Sequence, residues 1–291
     1  MTRNHTDDFE LERPALNAIA YQMLGEQSSA QDLVQDAWEL WNKADKNSIS
    51  SPPAWLRTVV SRLAIDALKS ARRKREVYIG PWLPEPLVDH QTMGPDDEFA
   101  LARDCELALM WAMERLNPEE RSAFILRKVF DSDYSELSEV LGKNEAACRK
   151  LVSRASKKIS DTKIKFNVSP EETRLMLQKF AQACLTMEHE EVLSLLAPDV
   201  ISVSDGGGRV RAALRPLVGA NEVTSVLLSI LRKSPLDQGA DIALVNSQSA
   251  IVLSGKHSER SVITIGLNNE GRIAWIYIMR NPDKLINLVR E

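Results

Sequence analysis

The sequence predicts a multidomain chain of two all-α parts followed by an α+β part. Three observations predict it: helical patterning runs from Leu11 to Lys74, a second helical run ends in a helix-turn-helix over Tyr134–Ile159, and after Ser160 the pattern turns from helices to strand-like segments. At 291 residues, 44% hydrophobic and 27% charged, the chain has the length for two or more domains and a globular composition, which excludes disorder throughout.

In the first part, one helix ends near Gly25, a second spans Ala30 to Ala44, and a third opens at Ser51-Pro52-Pro53 and runs to about Arg75. The third is expected to bury Trp55, Leu56, Val59, Leu63 and Leu68. Arg57, Arg62, Lys69, Arg72, Arg73, Lys74 and Arg75 gather toward its end as a cationic tip. Such a tip suits phosphate, and it also complements the helix dipole. From Glu76 to Pro95, Gly80, Pro81, Pro84, Pro86, Gly94 and Pro95 exclude a continuous helix and mark a linker. Its Tyr78, Ile79, Trp82, Leu83 and Leu87 are too apolar for a solvated spacer, so the linker is expected to dock on another part of the chain. Helices resume from Asp97 to Arg115 and from Pro118 to Phe130.

The helix-turn-helix is read from its punctuation. Asp133 caps a helix with Glu136 three residues on, Gly142 stops it, and Asn144 caps the next. Cys148, Leu151, Val152, Ala155 and Ile159 form the buried stripe of that second helix, and Arg149, Lys150, Ser153, Arg154, Lys157 and Lys158 project outward. This face suits a DNA major groove; the plainer reading is a surface helix kept soluble by its lysines. The net charge of -4 does not exclude nucleic acid, because binding follows local basic faces and not the total.

The last part opens with a helix over Pro170–Glu188 and a short one over Glu190–Leu196. Strand signals follow at Ile201–Ser204, Val210–Leu214, Asp241–Asn246, Ala250–Ser254, Ser261–Leu267 and Arg272–Met279, with a turn at Asn268-Asn269-Glu270-Gly271. A largely antiparallel sheet curved around helices is expected, with a pocket at its open mouth. Cys105, Cys148 and Cys184 lie far apart and read as buried thiols, not as disulfides or metal ligands. No run approaches the ~20 apolar residues of a membrane span, and the start lacks a signal peptide's apolar core, so a cytoplasmic location is expected with no membrane partner.

AYQMLGEQSSAQDLVQDAWELWNKA, then PPAWLRTVVSRLAIDALKSARRKR, then the helix-turn-helix resemble regions two and four of bacterial extracytoplasmic-function (ECF) sigma factors, in that order. GPWLPEP (Gly80 to Pro86), DGGGR (Asp205 to Arg209) and NPDKL (Asn281 to Leu285) resemble the signatures of the group carrying a fused C-terminal SnoaL-like domain. The resemblance implies sigma region two over 1–75, a linker over 76–97, region four over 98–165, and an α+β SnoaL-like cone of the cystatin/NTF type over 166–291. It implies a transcription initiation subunit, not itself an enzyme and without a cofactor, that binds core RNA polymerase (β′ clamp helices and β subunit) and two promoter elements. By motif, Asp32, Gln35, Asp36 and Trp38 face the polymerase, with Trp38 reading equally as core. Asn47 and Ser48 would hold a flipped base at the downstream element, and Trp55, Arg57 and Arg62 belong to strand separation, with Trp55 also reading as core. At the upstream element Arg149, Lys150, Ser153 and Arg154 are the groove contacts, and Lys157 and Lys158 lie on phosphate.

SnoaL-like folds include enzymes with an acid–base pair in the cavity, and His189, His257 and Asp205 are the residues this sequence offers for one. The histidines read as solvated, and Asp205 as the cap of the turn its glycines permit. The regulatory reading explains more. Trp82, Leu83, Pro84 and Glu85 of the linker would pack near Asp205, Gly206, Gly207, Gly208 and Arg209. Asn281, Pro282, Asp283, Lys284 and Leu285 would close the contact, and a small-molecule ligand or protein partner would shift the chain between compact and polymerase-competent arrangements. Two further classes compete: a ligand-responsive helix-turn-helix regulator, and a SnoaL-type enzyme with a DNA-binding appendage. Two dissimilar helical parts flanking a long linker favour the sigma factor, since an operator-binding regulator usually needs one reader and two-fold symmetry. Arg209, where lysine is more usual, and Glu188-His189, where a small turn residue is expected, depart from the family pattern.

Overall fold

The computed structural model describes residues 5–88, 99–162, 164–165, 168–233, 240–253 and 260–286. The chain divides into two compact units, one within Met1–Glu76, Thr92–Cys105 and Met110–Asp161, the other within Val77–Gln91, Glu106–Leu109 and Thr162–Glu291. The linker is thus counted with the C-terminal unit, and the two helical parts form one unit together. The start of the helix expected from Asp97, the linker beyond 88, Ser254 and His257 lie outside the described residues.

The first unit contains α1 (His5–Leu24), α2 (Gln27–Lys43), α3 (Pro52–Arg75), α4 (Ala100–Arg103), the end of α5 (Leu107–Met113), α6 (Pro118–Phe124), α7 (Tyr134–Leu141) and α8 (Glu145–Ser160). Gly25 ends α1 at φ 77, a backbone conformation that glycine adopts without strain. The helix expected from Asp97 to Arg115 is two helices, α4 and α5, broken between Arg103 and Leu107. The one expected to run to Phe130 ends in a π-helical turn, Ile125–Val129. The helix-turn-helix follows its sequence punctuation closely. Asp133 accepts from Glu136 N at 2.8 Å, Gly142 closes α7 at φ 61, and Asn144 accepts from Ala147 N at 2.9 Å.

The buried stripe of α3 is Leu56, Val60, Ala64, Ile65 and Leu68; Trp55, Val59 and Leu63 are half-buried. The stripe is rotated from the expected one because α3 packs against α1 and α2 and also against α6 and α7. The cationic tip is likewise altered. Arg72 donates to Glu114 O and Leu116 O, and Arg75 pairs with the Glu114 carboxylate at 2.6 Å and donates to Leu24 O. Fully buried Arg121 joins them, donating to Gln22 O at 2.9 Å and to Glu114. Two arginines expected on phosphate therefore fasten α3 to the α5–α6 turn.

The second unit contains α9 (Pro170–Thr186), α10 (His189–Leu195), β1 (Leu196–Asp205), β2 (Leu217–Val218), α11 (Ala220–Lys233), β3 (Ala240–Val245), β4 (Gln248–Leu253), β5 (Ser261–Leu267) and β6 (Ile273–Met279). The strands form one sheet in the order β2-β1-β6-β5-β4-β3, with β1 and β6 parallel and the other neighbours antiparallel. Leu196, Val200, Ile265 and Ile276 pack with Leu177, Phe180, Val192, Val223 and Leu228 of α9–α11. Successive side chains on a strand point to opposite faces, so Tyr277, next to Ile276, faces away from that core.

One expectation for this unit is corrected. Val210–Leu214 is not a strand: Arg209 N and Val210 N both donate to Gly206 O, and Ala213 N donates to Ser204 Oγ, so the segment coils back on β1. Its apolar residues mimic a strand signal. The α11 helix carries no sequence-based assignment, although Val223, Leu227, Leu228 and Leu231 recur at helical spacing along it. A cavity of about 10 Å³ is bounded by Ala108, Val168, Thr264 and Trp275, and an open groove of about 640 Å³ lies between α10, the start of β1, β2 and the start of α11. The three cysteines are buried, and burial pushes the Cys184 thiol up to about 12. No helix among the described residues is long and apolar enough to cross a membrane.

Burial raises the Glu114 carboxyl, and Arg121, Arg75 and Arg72 outweigh it, so the group lies below its ordinary value of 4.5. A depressed carboxyl stabilises the fold above its unfolded value and loses that contribution as pH falls through the folded one. The first unit is expected to lose stability below about pH 4.5, and Glu114→Gln to flatten that acid limb, as measured by thermal unfolding against pH.

Candidate nucleic-acid interface and linker dock

Arg149, Lys150, Ser153, Arg154, Lys157 and Lys158 all lie exposed on α8, opposite the buried Cys148, Leu151, Val152, Ala155 and Ile159. Arg149 pairs with Glu145 at 2.7 Å, one helical turn back. Its guanidinium also lies 4.0 Å from the Tyr134 ring centroid. Lys158 is tied to Glu120 at 2.7 Å, in the capping box that starts α6. The phosphate role expected of Lys158 thus competes with an internal partner whose carboxylate is almost fully buried.

On α2, Asp32, Gln35 and Asp36 are exposed while Leu33 is buried. Trp38 is half-buried, packed edge-on against Phe9 at 4.8 Å, so the sequence's two readings of it divide along its ring. Asn47 and Ser48 sit exposed on a 3-10 turn, Lys46–Ser48, which Asp45 caps by accepting from Asn47 N at 3.0 Å. Their side chains lie on the outside of a locally fixed backbone. Trp55 packs on Trp41 at 5.5 Å, and Arg57 pairs with Glu12 at 3.2 Å. Arg62 donates to the carbonyls of Val140 and Glu139 at the end of α7, at 3.3 and 2.5 Å. A guanidinium there meets the negative end of the α7 dipole.

One carboxylate gathers the linker, the glycine turn and the tail. Asp205 is fully buried at the end of β1 and accepts from Tyr78 OH at 2.6 Å, Leu83 N at 3.0 Å, Gly207 N at 2.9 Å and Lys284 Nζ at 2.9 Å. Lys284 also donates to Leu83 O at 2.6 Å and lies 4.2 Å from the Trp82 ring centroid. Trp82 is therefore half-buried over a cation. Further along, Tyr277 OH donates to Pro84 O, and Leu87 exchanges two hydrogen bonds with Asn246, at 2.9 and 2.8 Å. Leu83, Pro84, Pro86 and Leu87 are buried, while Glu85 is half-exposed.

The glycines of the DGGGR turn make room for this packing. A Cβ on Gly206 would stand 2.3 Å from Val210 O, one on Gly207 2.5 Å from Asn281 Cγ, and one on Gly208 2.8 Å from Ile79 Cδ1. Asn281 caps the 3-10 turn Pro282–Lys284, donates to Tyr78 OH at 2.9 Å, and so ties the tail to the linker. Leu285 is buried, and Arg209 forms a surface ion pair with Asp283 at 3.0 Å. Asp205 caps the glycine turn as its position suggests. Its acceptor positions are taken by the chain's own donors, which removes it as a general base. Tyr277 and Asn246 are absent from the sequence-based site because each reads as an ordinary strand residue, although Asn246 takes φ 49 in the β3–β4 turn.

A helix-turn-helix with an exposed basic face, a second helical part and a sheet that clasps the connecting linker together define a modular DNA-binding transcription protein. The family models Sigma-70 region 2 and Sigma-70, region 4 match residues 9–74 and 106–159. The chain is 35% identical to the ECF RNA polymerase sigma factor SigJ of Mycobacterium tuberculosis, over 95% of this chain and 92% of the relative. It is 31% identical to the probable ECF RNA polymerase sigma factor SigI of the same organism, over 96% and 94%. The crystal structure of M. tuberculosis SigJ superposes with a TM-score of 0.78 at 32% identity, covering 96% of this chain and 98% of that one, α+β domain included. The chain belongs to the ECF RNA polymerase sigma factors.

Gly207→Ala places a methyl group against Asn281 at a left-handed φ of 63, and is expected to destabilise the second unit by roughly 1–3 kcal/mol, read by chemical denaturation.

Proposed function

We propose that this sigma factor selects promoters through its two helical parts, and that its SnoaL-like domain governs their availability by holding the linker. The Asp205 carboxylate carries the proposal, since it joins linker, glycine turn and tail at one buried point. In this reading residues 1–75 act as region two, 98–165 as region four and 166–291 as the regulatory domain, with 76–97 as the element it holds. The exposed acidic and amide groups of Asp32, Gln35 and Asp36, with the free edge of Trp38, suit a basic polymerase surface. Asn47 and Ser48 offer hydrogen-bonding groups to an unstacked base, and Trp55, Arg57 and Arg62 serve the opening of the downstream element. Arg149, Lys150, Ser153 and Arg154 read the upstream element, with Lys157 and Lys158 on phosphate. The SnoaL-like domain acts as a scaffold and not a catalyst, in keeping with the engaged Asp205. The protein works in the cytoplasm, where polymerase and promoter are.

Asp205→Ala leaves Lys284 without its buried counter-charge, a change that typically costs about 3–5 kcal/mol. The variant is expected to show faster proteolysis within 77–88, altered Trp82 fluorescence, and a change of roughly fivefold or more in transcription with core polymerase in vitro. Unchanged transcription alongside a released linker would sink the regulatory reading. Arg149→Ala is expected to weaken binding to the cognate promoter by about 1–3 kcal/mol while leaving random duplex nearly unaffected at matched salt. Equal losses on both would reduce Arg149 to a phosphate contact.

A further inference from the structure

Tyr134 is the first residue of α7, one helix away from the DNA-facing surface of α8, and it is half-buried. Two guanidiniums lie over its ring, Arg149 at 4.0 Å and Arg127 at 5.4 Å from the centroid. Arg127 is anchored in turn by Asp131 at 2.5 Å. The Arg149 side chain remains about half exposed, and its other partner, Glu145, contacts a single terminal nitrogen, Nη2.

A guanidinium has two kinds of surface. Its planar face is attracted to an aromatic ring, and its rim carries the five N–H donors that form bidentate hydrogen bonds. Stacking on Tyr134 occupies the face and leaves the rim, whereas the Glu145 ion pair occupies part of the rim and must give way when a base is bound. The two contacts therefore act differently: Glu145 neutralises Arg149 in the free protein, and Tyr134 orients it in both states.

We propose that Tyr134 is a positioning residue for upstream-element recognition, holding the Arg149 guanidinium face-on so that its donor rim meets the base edge already oriented. The inference rests on the assignment of Arg149 to base reading. It adds a specificity determinant from α7, which need not touch DNA. Arg127, held by Asp131, is a second guanidinium at the same ring and hydrogen-bonds with the Tyr134 side chain.

The test uses the full-length chain with core polymerase and measures affinity for a cognate promoter, for single-base variants of its upstream element, and for random duplex at one salt concentration. Tyr134→Met, which fills similar volume without a π face, is expected to lower the cognate-to-variant affinity ratio by roughly fivefold, the worth of a partly exposed cation–π contact, with random-duplex affinity unchanged. Tyr134→Phe keeps the ring and is expected to keep the ratio. In an Arg149→Ala background Tyr134→Met is expected to add nothing. An Arg149→Ala protein with an unchanged ratio overturns the assignment of Arg149 and this inference with it. A lowered ratio in Arg149→Ala combined with an unchanged one in Tyr134→Met overturns this inference alone. Tyr134→Phe losing as much as Tyr134→Met moves the role from ring to hydroxyl, and a further loss in the double variant makes Tyr134 independent of Arg149; either result also overturns it. If Tyr134→Met does not fold, the Tyr134→Phe ratio and a Tyr134→Leu protein carry the same comparison.

Discussion

The Asp205–Lys284 ion pair is the constraint on which the second unit's arrangement depends. An ionised pair taken out of water is favourable only when its remaining hydrogen-bonding capacity is met inside the protein. Here the linker meets it: Tyr78 OH and Leu83 N supply donors to the carboxylate, and Leu83 O accepts from the ammonium. Without the linker the pair would lose these partners, and without the pair the linker would lose the acceptor and donor that hold Tyr78 and Leu83. The aromatic faces of Trp82 and Tyr78 over the ammonium complete its surroundings with little hydration lost that is not replaced.

The same economy recurs in the first unit. Arg72, Arg75 and Arg121 converge on Glu114 and on the carbonyls that helix ends and turns leave unpaired. Helix C-termini present carbonyls that no backbone donor reaches, and a guanidinium with five donors can serve several at once. Positive charge that reads as a DNA-binding surface in the sequence is thereby divided. Part of it, on α3, is spent on holding helices together, and part, on α8, remains open to solvent.

Much of this was legible in the chain itself. Capping residues and glycine stops placed α7 and α8 closely, because those signals act within a few residues. The motifs Trp82–Glu85, Asp205–Arg209 and Asn281–Leu285 were identified as meeting partners, and the structure brings most of their residues to one point. What stayed hidden depends on contacts remote in sequence. The rotated stripe of α3 reflects two packing partners on different sides, which local periodicity cannot distinguish from one. Val210–Leu214 looks like a strand because its apolar residues line a coil. Arg72 and Arg75 carry nothing in their neighbourhood that separates an internal clamp from a phosphate contact, since the distinction lies in Glu114, some forty residues away. Asn246 and Tyr277 contribute one hydrogen-bonding group each, and no pattern announces a single group.

The dock closes over very long stretches of chain: Lys284 reaches back 201 residues to Leu83, and Asn281 reaches 203 to Tyr78. During synthesis both helical parts and the linker leave the ribosome well before the ammonium that completes the pair. A chain cut short before that lysine would contain both helical parts and the linker but lack the group that closes the dock.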